Sequence, residues 1–172
     1  MSLTTNFQKP NFINPKEEII FSGNPLDRLD EMRDNRVWLE EQLASKDSRF
    51  LFFYEGKPCM KIDPELELGL WSSQDAFSII KEGANWVLLG GYEAKVWFAC
   101  DLKENHVPDK KGYKFIDLRS VANQLDELGN DKGSSAIIGY AASMLNWHAS
   151  HGFCAKCGEK TKMERAGFLR TC

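Results

Sequence analysis

The chain has 172 residues, of which 22 are Lys or Arg and 25 are Asp or Glu, for a formal net charge of -3. That balance argues against a free-standing nucleic-acid binder, whose footprint is a basic surface. A content of 42% hydrophobic against 27% charged residues argues for a packed core over disorder. No apolar run reaches the roughly 18 residues that a membrane helix needs, and the N-terminal MSLTTNFQKPNF lacks the basic and apolar segments of a secretory signal.

In chain order, residues 1–14 read as a loose polar arm, and PKEEIIFSG as a short extended segment ending at Gly23. Val37, Leu39 and Leu43 mark a short helix with Asn35 as its N-cap, since an Asn side chain accepts from the free amides of a first turn. The aromatic run Phe50–Tyr54 and the stretch after Glu55-Gly56-Lys57 predict a hairpin. Leu66, Leu68 and Leu70 alternate as in a strand, and Ser72 or Ser73 can cap a helix ending before Gly83. Two more apolar runs, joined by Gly90-Gly91-Tyr92-Glu93-Ala94, predict a second hairpin. KENHVPDKKGY is a polar loop, and Tyr113–Leu118 a last short strand. From Ser134 to Ser150 the period becomes helical, with Ile137, Tyr140, Ala141, Met144, Leu145 and His148 on one side. Ser134 or Ser135 can cap this helix and Gly152 can stop it. Gly139 within it costs about 1 kcal/mol relative to Ala and marks close packing.

The five cysteines are Cys59, Cys100, Cys154, Cys157 and Cys172. Their odd number, with two isolated members, does not form a secreted disulfide framework, so a reducing cytoplasmic setting is expected. Cys154 and Cys157 form a Cys-x-x-Cys turn followed by Gly158, which presents two thiolates to one metal and tolerates positive φ. Fourteen residues separate Cys157 from Cys172, within the gap of about 12–20 usual between the knuckles of a zinc ribbon. Lys162–Arg170 would then be one arm of a returning hairpin, and a fourth ligand would stand just past Cys172. A redox dithiol and unrelated free thiols are the alternatives. The Cys-x-x-Cys follows a helix instead of opening one, which disfavours the redox reading. His148 and His151 are alternative ligands, with His148 better read as helix-end structure.

Clustered carboxylates able to hold magnesium or manganese for phosphate chemistry are not visible. Glu65 and Glu67 on a strand, and Glu40 and Glu41 on a helix, read as solvated surface. Asp27, Arg28, Asp30, Glu31 and Arg33 read as a local ion-pair network, and His106 as a solvated loop residue. The residues alone therefore describe an α+β chain: a mainly antiparallel sheet with a few helices, then a long helix and a partial zinc ribbon. The expected divisions are 1–133, a connecting helix at 134–151, and the ribbon at 152–172. The basic residues Lys156, Lys160, Lys162, Arg165 and Arg170 leave a nucleic-acid-binding zinc module as the alternative function.

The segment AASMLNWHASHGFCAKCGEKTKMERAGFLRTC resembles the helix-to-ribbon junction of the NADH pyrophosphatases, a branch of the Nudix hydrolases. Leu145-Asn146-Trp147-His148 runs into Phe153-Cys154-Ala155-Lys156-Cys157-Gly158, and Gly167 precedes an aromatic, Arg170 and Cys172, as in that family. FSGNPLDRLDEMR and DLRSVANQL resemble its upstream Leu-Asp-Arg and Asp-Leu-Arg segments. The resemblance implies a variable N-terminal domain, a structural Zn2+ ribbon with Cys154, Cys157 and Cys172 as ligands, and a following catalytic domain using Mg2+ or Mn2+. It implies a homodimer that cleaves NADH or NAD+ to nicotinamide mononucleotide and AMP and, in some members, removes NAD caps from RNA. The Nudix box, Gly-x5-Glu-x7-Arg-Glu-x-x-Glu-Glu-x-Gly, does not occur in this sequence, so no catalytic residue is assigned. The stretch is expected to be the inactive part of a longer enzyme.

Overall fold

The computed structural model of the chain describes residues 21–128 and 132–172; the expected N-terminal arm and most of the extended segment before Gly23 lie outside them. In chain order come α1 (Arg36–Ala44), β1 (Arg49–Tyr54), β2 (Lys57–Lys61), β3 (Glu67–Leu68), β4 (Leu70–Trp71), α2 (Ser73–Lys81), β5 (Asn85–Tyr92) and β6 (Lys95–Asp101). They are followed by β7 (Tyr113–Phe115), α3 (Leu118–Leu128), α4 (Lys132–Ser150), β8 (Lys162–Glu164) and β9 (Leu169–Thr171). The α+β class holds: β1 to β7 form one sheet in which all pairings are antiparallel except β1 with β6.

The continuous apolar runs arise because this sheet is covered on both faces, where strict alternation of polar and apolar residues is not required. Phe50, Phe52, Leu88, Phe98 and Cys100 face one way and pack with Leu39 of α1 and Ala76 and Ile79 of α2. Leu51, Phe53, Val87, Leu89, Trp97 and Ala99 face the other and pack with Val121 and Leu125 of α3 and Ile137, Ile138, Ala141 and Leu145 of α4. The first face is bound by aromatic stacking, with Phe50 on Phe98 at 5.1 Å and Phe52 on Trp71 at 5.0 Å between centroids.

Local signals operate where expected. Asn35 caps α1 by accepting from Trp38 N at 3.1 Å, although Val37 points outward at 67% exposure. Ser72 and Asp75 form a reciprocal capping box on α2. The first hairpin turns at Glu55 and Gly56, both at positive φ. β1 and β2 pair next to this turn and then diverge, and the chain from Glu67 to Trp71 enters the fork, pairing with β2 through β3 and with β1 through β4. At the crossover Gly69 N donates to Cys59 O at 3.1 Å, and a Cβ on Gly69 would stand 2.4 Å from that carbonyl oxygen.

Four expectations are corrected. The second hairpin turns at Glu93 and Ala94, while Gly90 and Gly91 lie within β5 at a bulge. A Cβ on Gly90 would stand 2.1 Å from Asp27 O, so these glycines admit the Leu26–Asp27 backbone and are not turn residues. Tyr113–Leu118 is strand only to Phe115. Asp117 Oδ1 accepts from Arg119 N and Ser120 N at 3.0 and 3.2 Å, so the Asp-Leu-Arg segment opens α3, a helix not anticipated. α4 is already helical at Lys132, which places Ser134 and Ser135 inside it and not at its cap. Lys162–Arg170 is not one arm but both, with β8 and β9 joined by a 3-10 turn, Arg165–Gly167. Gly139 does mark close packing, since a Cβ there would stand 2.6 Å from the Phe21 ring.

Because backbone cannot yield as a side-chain tip can, Gly69→Ala should destabilise the domain by about 1–3 kcal/mol. Chemical denaturation would show this as a lower midpoint with unchanged slope.

Candidate metal centre

Cys154 and Cys157 lie on the turn that follows α4, and Cys172 follows the last residue of β9. The turn is closed by Cys154 N donating to Glu159 O at 2.7 Å and Gly158 N to Cys154 O at 2.9 Å, with Gly158 at φ 76° as its cysteine-turn position requires. Pairing of Lys162 with Thr171 brings the end of β9 alongside the turn, and the three sulfurs lie within 4.8 Å of one another. Tetrahedral zinc with Zn–S bonds of about 2.3 Å separates its sulfurs by about 3.8 Å, so this trio fits such an ion. Backbone amides of Lys156 and Cys157 pull the Cys154 thiol down to about 7, while sharing with the neighbouring thiols pushes Cys172 up. The lowered Cys154 thiol favours the thiolate form that a metal takes. Cys59 and Cys100 are buried in the sheet, and burial pushes both thiols up; they are packing residues.

Neither histidine joins the sulfurs. His151 Nδ1 lies 3.0 Å from Trp147 O and 2.9 Å from Ser150 Oγ. His148 is buried and both ring nitrogens are engaged: Nε2 lies 2.8 Å from Gly167 O and Nδ1 2.7 Å from Arg170 Nη1. Arginine cannot accept a hydrogen bond, so Nδ1 accepts from Arg170 and Nε2–H donates to Gly167. The ring is therefore neutral, and burial together with Arg170 holds its pKa below the usual value. Arg170 also donates to Thr161 Oγ1 at 2.7 Å and to Thr161 O at 3.2 Å. This network ties β9, the strand that ends next to Cys172, to α4 and to the chain leaving the cysteine turn.

The turn between β8 and β9 clips over the edge strand β5. Gly167, at φ 100°, lies so close to β5 that a Cβ would stand 2.5 Å from Val87 Cγ1. Ala166 packs against the core on the α1–α2 face and Met163 against the core on the α3–α4 face, so the turn closes both cores at one edge. Arg33 completes this corner: the local ion-pair network expected of its segment includes Arg33 with Asp30 at 4.0 Å, but the Arg33 side chain is buried, at 0% exposure. Nη1 donates to Leu88 O of β5 at 2.9 Å, Nη2 donates to Arg28 O, and the guanidinium lies 3.4 Å from the Phe168 ring centroid. Burial brings its pKa down to about 10, which leaves it charged at neutral pH. Outside it, Arg165 pairs with Asp34 at 3.0 Å and Asp30 at 3.4 Å. A charged residue in a charge-rich segment gave no signal of burial, because its partners come from β5 and from a turn 135 residues away.

Of the remaining titratable residues, Glu40, Glu41, Glu65 and Glu67 are exposed, with Glu67 paired to Lys61 at 2.9 Å. His106 is not solvated: its side chain is 6% exposed and its Nε2 lies 2.7 Å from Glu82. Two of the five basic residues near the cysteines, Arg165 and Arg170, are engaged internally, whereas Lys156, Lys160 and Lys162 are exposed.

Fold and site thus define an α/β/α domain with a cysteine hairpin, competent to hold a metal, clipped to its sheet edge. Residues 47–147 match the model of the NADH pyrophosphatase-like rudimentary NUDIX domain, and the chain belongs to that family, the NADH pyrophosphatase branch of the Nudix proteins. It is 33% identical over 100 residues to human mitochondrial NAD(P)H pyrophosphatase NUDT13, covering 50% of this chain and 27% of that protein. It is 25% identical over 206 aligned positions to the NAD-capped RNA hydrolase NUDT12 of Macaca fascicularis, covering 96% of this chain and 43% of the relative. Chloroplastic Nudix hydrolase 19 of Arabidopsis thaliana is 34% identical over 86 residues, covering 46% of this chain and 19% of that protein. The chain therefore spans less than half the length of these relatives. Among the described residues, no helix is long and apolar enough to cross a membrane.

The neutral His148 has a pH signature. Its folded pKa is depressed, so its contribution to stability is complete above the unfolded value of about 6.5 and is lost as pH falls below it. Denaturant midpoints measured from pH 7.5 to 5 should fall more for the parent protein than for His148→Ala. That variant should already be about 1–3 kcal/mol less stable at pH 7.5, because it leaves Gly167 O and Arg170 without their buried partner.

Proposed function

We propose that this chain is the N-terminal and zinc-ribbon portion of a Nudix NAD(H) diphosphatase. In this reading the intact enzyme adds water across the pyrophosphate of NADH or NAD+, releasing nicotinamide mononucleotide and AMP, and NAD-capped RNA is a further substrate. This chain serves as a non-catalytic unit for folding and homodimer assembly, divided as 1–133, a connecting helix over 134–151 and the ribbon from 152. The catalytic glutamates and their Mg2+ or Mn2+ belong to a separate Nudix domain, and the enzyme works in the cytoplasm.

The observation that carries this reading is the three-thiol cluster docked on a domain of the NADH pyrophosphatase-like family. Cys154, Cys157 and Cys172 would hold Zn2+, with one position left for a fourth ligand, since structural zinc is four-coordinate. Bound zinc would hold the cysteine turn and the end of β9 together, and complete structural sites contribute an apparent 10–16 kcal/mol, of that order, in small zinc domains. Among the described residues, this trio is the one group of three His, Cys, Asp or Glu side chains close enough to share an ion. That arrangement supports assigning phosphate chemistry elsewhere. The names of the relatives, NAD(P)H pyrophosphatase and NAD-capped RNA hydrolase, support the substrate class. A zinc module that binds nucleic acid is the second reading. Exposed Lys156, Lys160 and Lys162 favour it, and the internal engagement of Arg165 and Arg170 weakens it.

Two measurements test the proposal. Native mass spectrometry of the 172-residue chain should show one zinc per chain, lost in Cys154→Ser. The chain alone should not hydrolyse NADH with Mg2+ or Mn2+, whereas the full-length protein should. NADH turnover by the isolated chain would overturn the division of labour, and a full-length protein inert toward NADH, NAD+ and capped RNA would overturn the substrate class.

A further inference from the structure

We infer that the metal centre and the sheet edge are one thermodynamic unit, so that Arg33 and Phe168, neither of them a ligand, set the affinity of the cysteine site for zinc. This rests on the reading of Cys154, Cys157 and Cys172 as a zinc site.

A continuous set of contacts joins the two places. The Arg33 guanidinium is fixed to β5 through Leu88 O and covers the Phe168 ring at 3.4 Å. Phe168 follows Gly167, which abuts Val87 of β5 and whose carbonyl accepts from His148 Nε2 at 2.8 Å. The other nitrogen of His148 meets Arg170, two residues before Cys172, and Arg170 grips Thr161 on the chain leaving the cysteine turn. Thr161 in turn holds that turn to the end of α4, donating from Oγ1 to His151 O at 2.8 Å and from N to Gly152 O at 3.0 Å. The positions of the three sulfurs therefore depend on whether the corner is seated on β5.

Seating has its own driving force, because Ala166 and Met163 enter opposite cores of the domain. Zinc can bind three thiols at once only when β9 lies alongside the cysteine turn, and the hairpin that places it there is seated on β5. Whatever favours seating must favour zinc, and by linkage zinc must favour seating by the same factor. Couplings of this kind run from about 5-fold to about 150-fold.

The test is zinc affinity of the 172-residue chain, measured by competition with a chromophoric chelator, for the parent, Arg33→Met and Phe168→Leu. Phe168→Leu keeps an apolar side chain at the corner but removes the ring that the guanidinium covers, and it serves if Arg33→Met does not fold. Each should weaken zinc binding about 5-fold or more. Gly69→Ala, which strains the sheet far from the corner, should leave zinc affinity unchanged. In the reciprocal direction, chelation of zinc from the parent should speed amide exchange in Trp86–Gly91. Equal zinc affinity in the parent and both corner variants, with exchange over Trp86–Gly91 indifferent to zinc, would overturn the coupling while leaving the zinc site standing. A parent chain that takes up no zinc would remove the zinc reading and the coupling together.

Discussion

A buried guanidinium must have its charge and its N–H donors answered, since an unpaired charge in an apolar setting is costly. Arg33 meets most of that demand through the folded arrangement: the Leu88 carbonyl of an edge strand, the Arg28 carbonyl of its own segment, and the face of Phe168 from the cysteine hairpin, while Nε has no hydrogen-bond partner and lies 4.0 Å from Asp30 Oδ1. An edge strand leaves carbonyls unpaired and available to other chains. Here one of those carbonyls is consumed from within by Arg33, and the Leu26–Asp27 backbone pairs further along at Gly91. The hairpin turn lies over Val87, on the other side of Leu88 from Gly91. One side chain thus completes the edge of the sheet and provides the surface on which the hairpin rests.

The candidate metal centre inherits its geometry from that arrangement. Short hairpins are marginal by themselves, and the β8–β9 pair has three residues in each strand. It is held by neutral His148, which reads both Gly167 and Arg170, and by Arg165 against Asp30 and Asp34. The Trp-His motif that marks the end of the long helix therefore has a physical role: its histidine joins helix to hairpin instead of binding metal. The aromatic after Gly167 has one too, as the ring that Arg33 covers.

Much of this was legible in the sequence. The two hairpins, the caps at Asn35 and Ser72, the long helix, the cysteine turn and the close packing at Gly139 each follow from short-range rules of pattern, capping and backbone freedom. The errors have two causes, distant partners and a cap that the apolar pattern does not mark. Gly90-Gly91 resembled a turn, yet the glycines admit a backbone that pairs from 64 residues upstream. Asp117 resembled a strand end because its capping partners are backbone amides that local hydrophobic pattern does not reveal. His106 resembled a solvated loop residue and Arg33 a member of a local ion-pair network because burial of a polar side chain depends on distant partners.

The sequence by itself determined most element types, the family and the residues able to bind a metal, since composition, periodicity and the spacing of Cys154, Cys157 and Cys172 are local properties. Tertiary structure alone decided that the hairpin seats on β5, that Gly167 and Phe168 form its contact, and that Arg33 lies buried beneath them. Those choices depend on which surfaces meet after the strands have taken a spatial order different from their chain order, and no local pattern encodes that meeting.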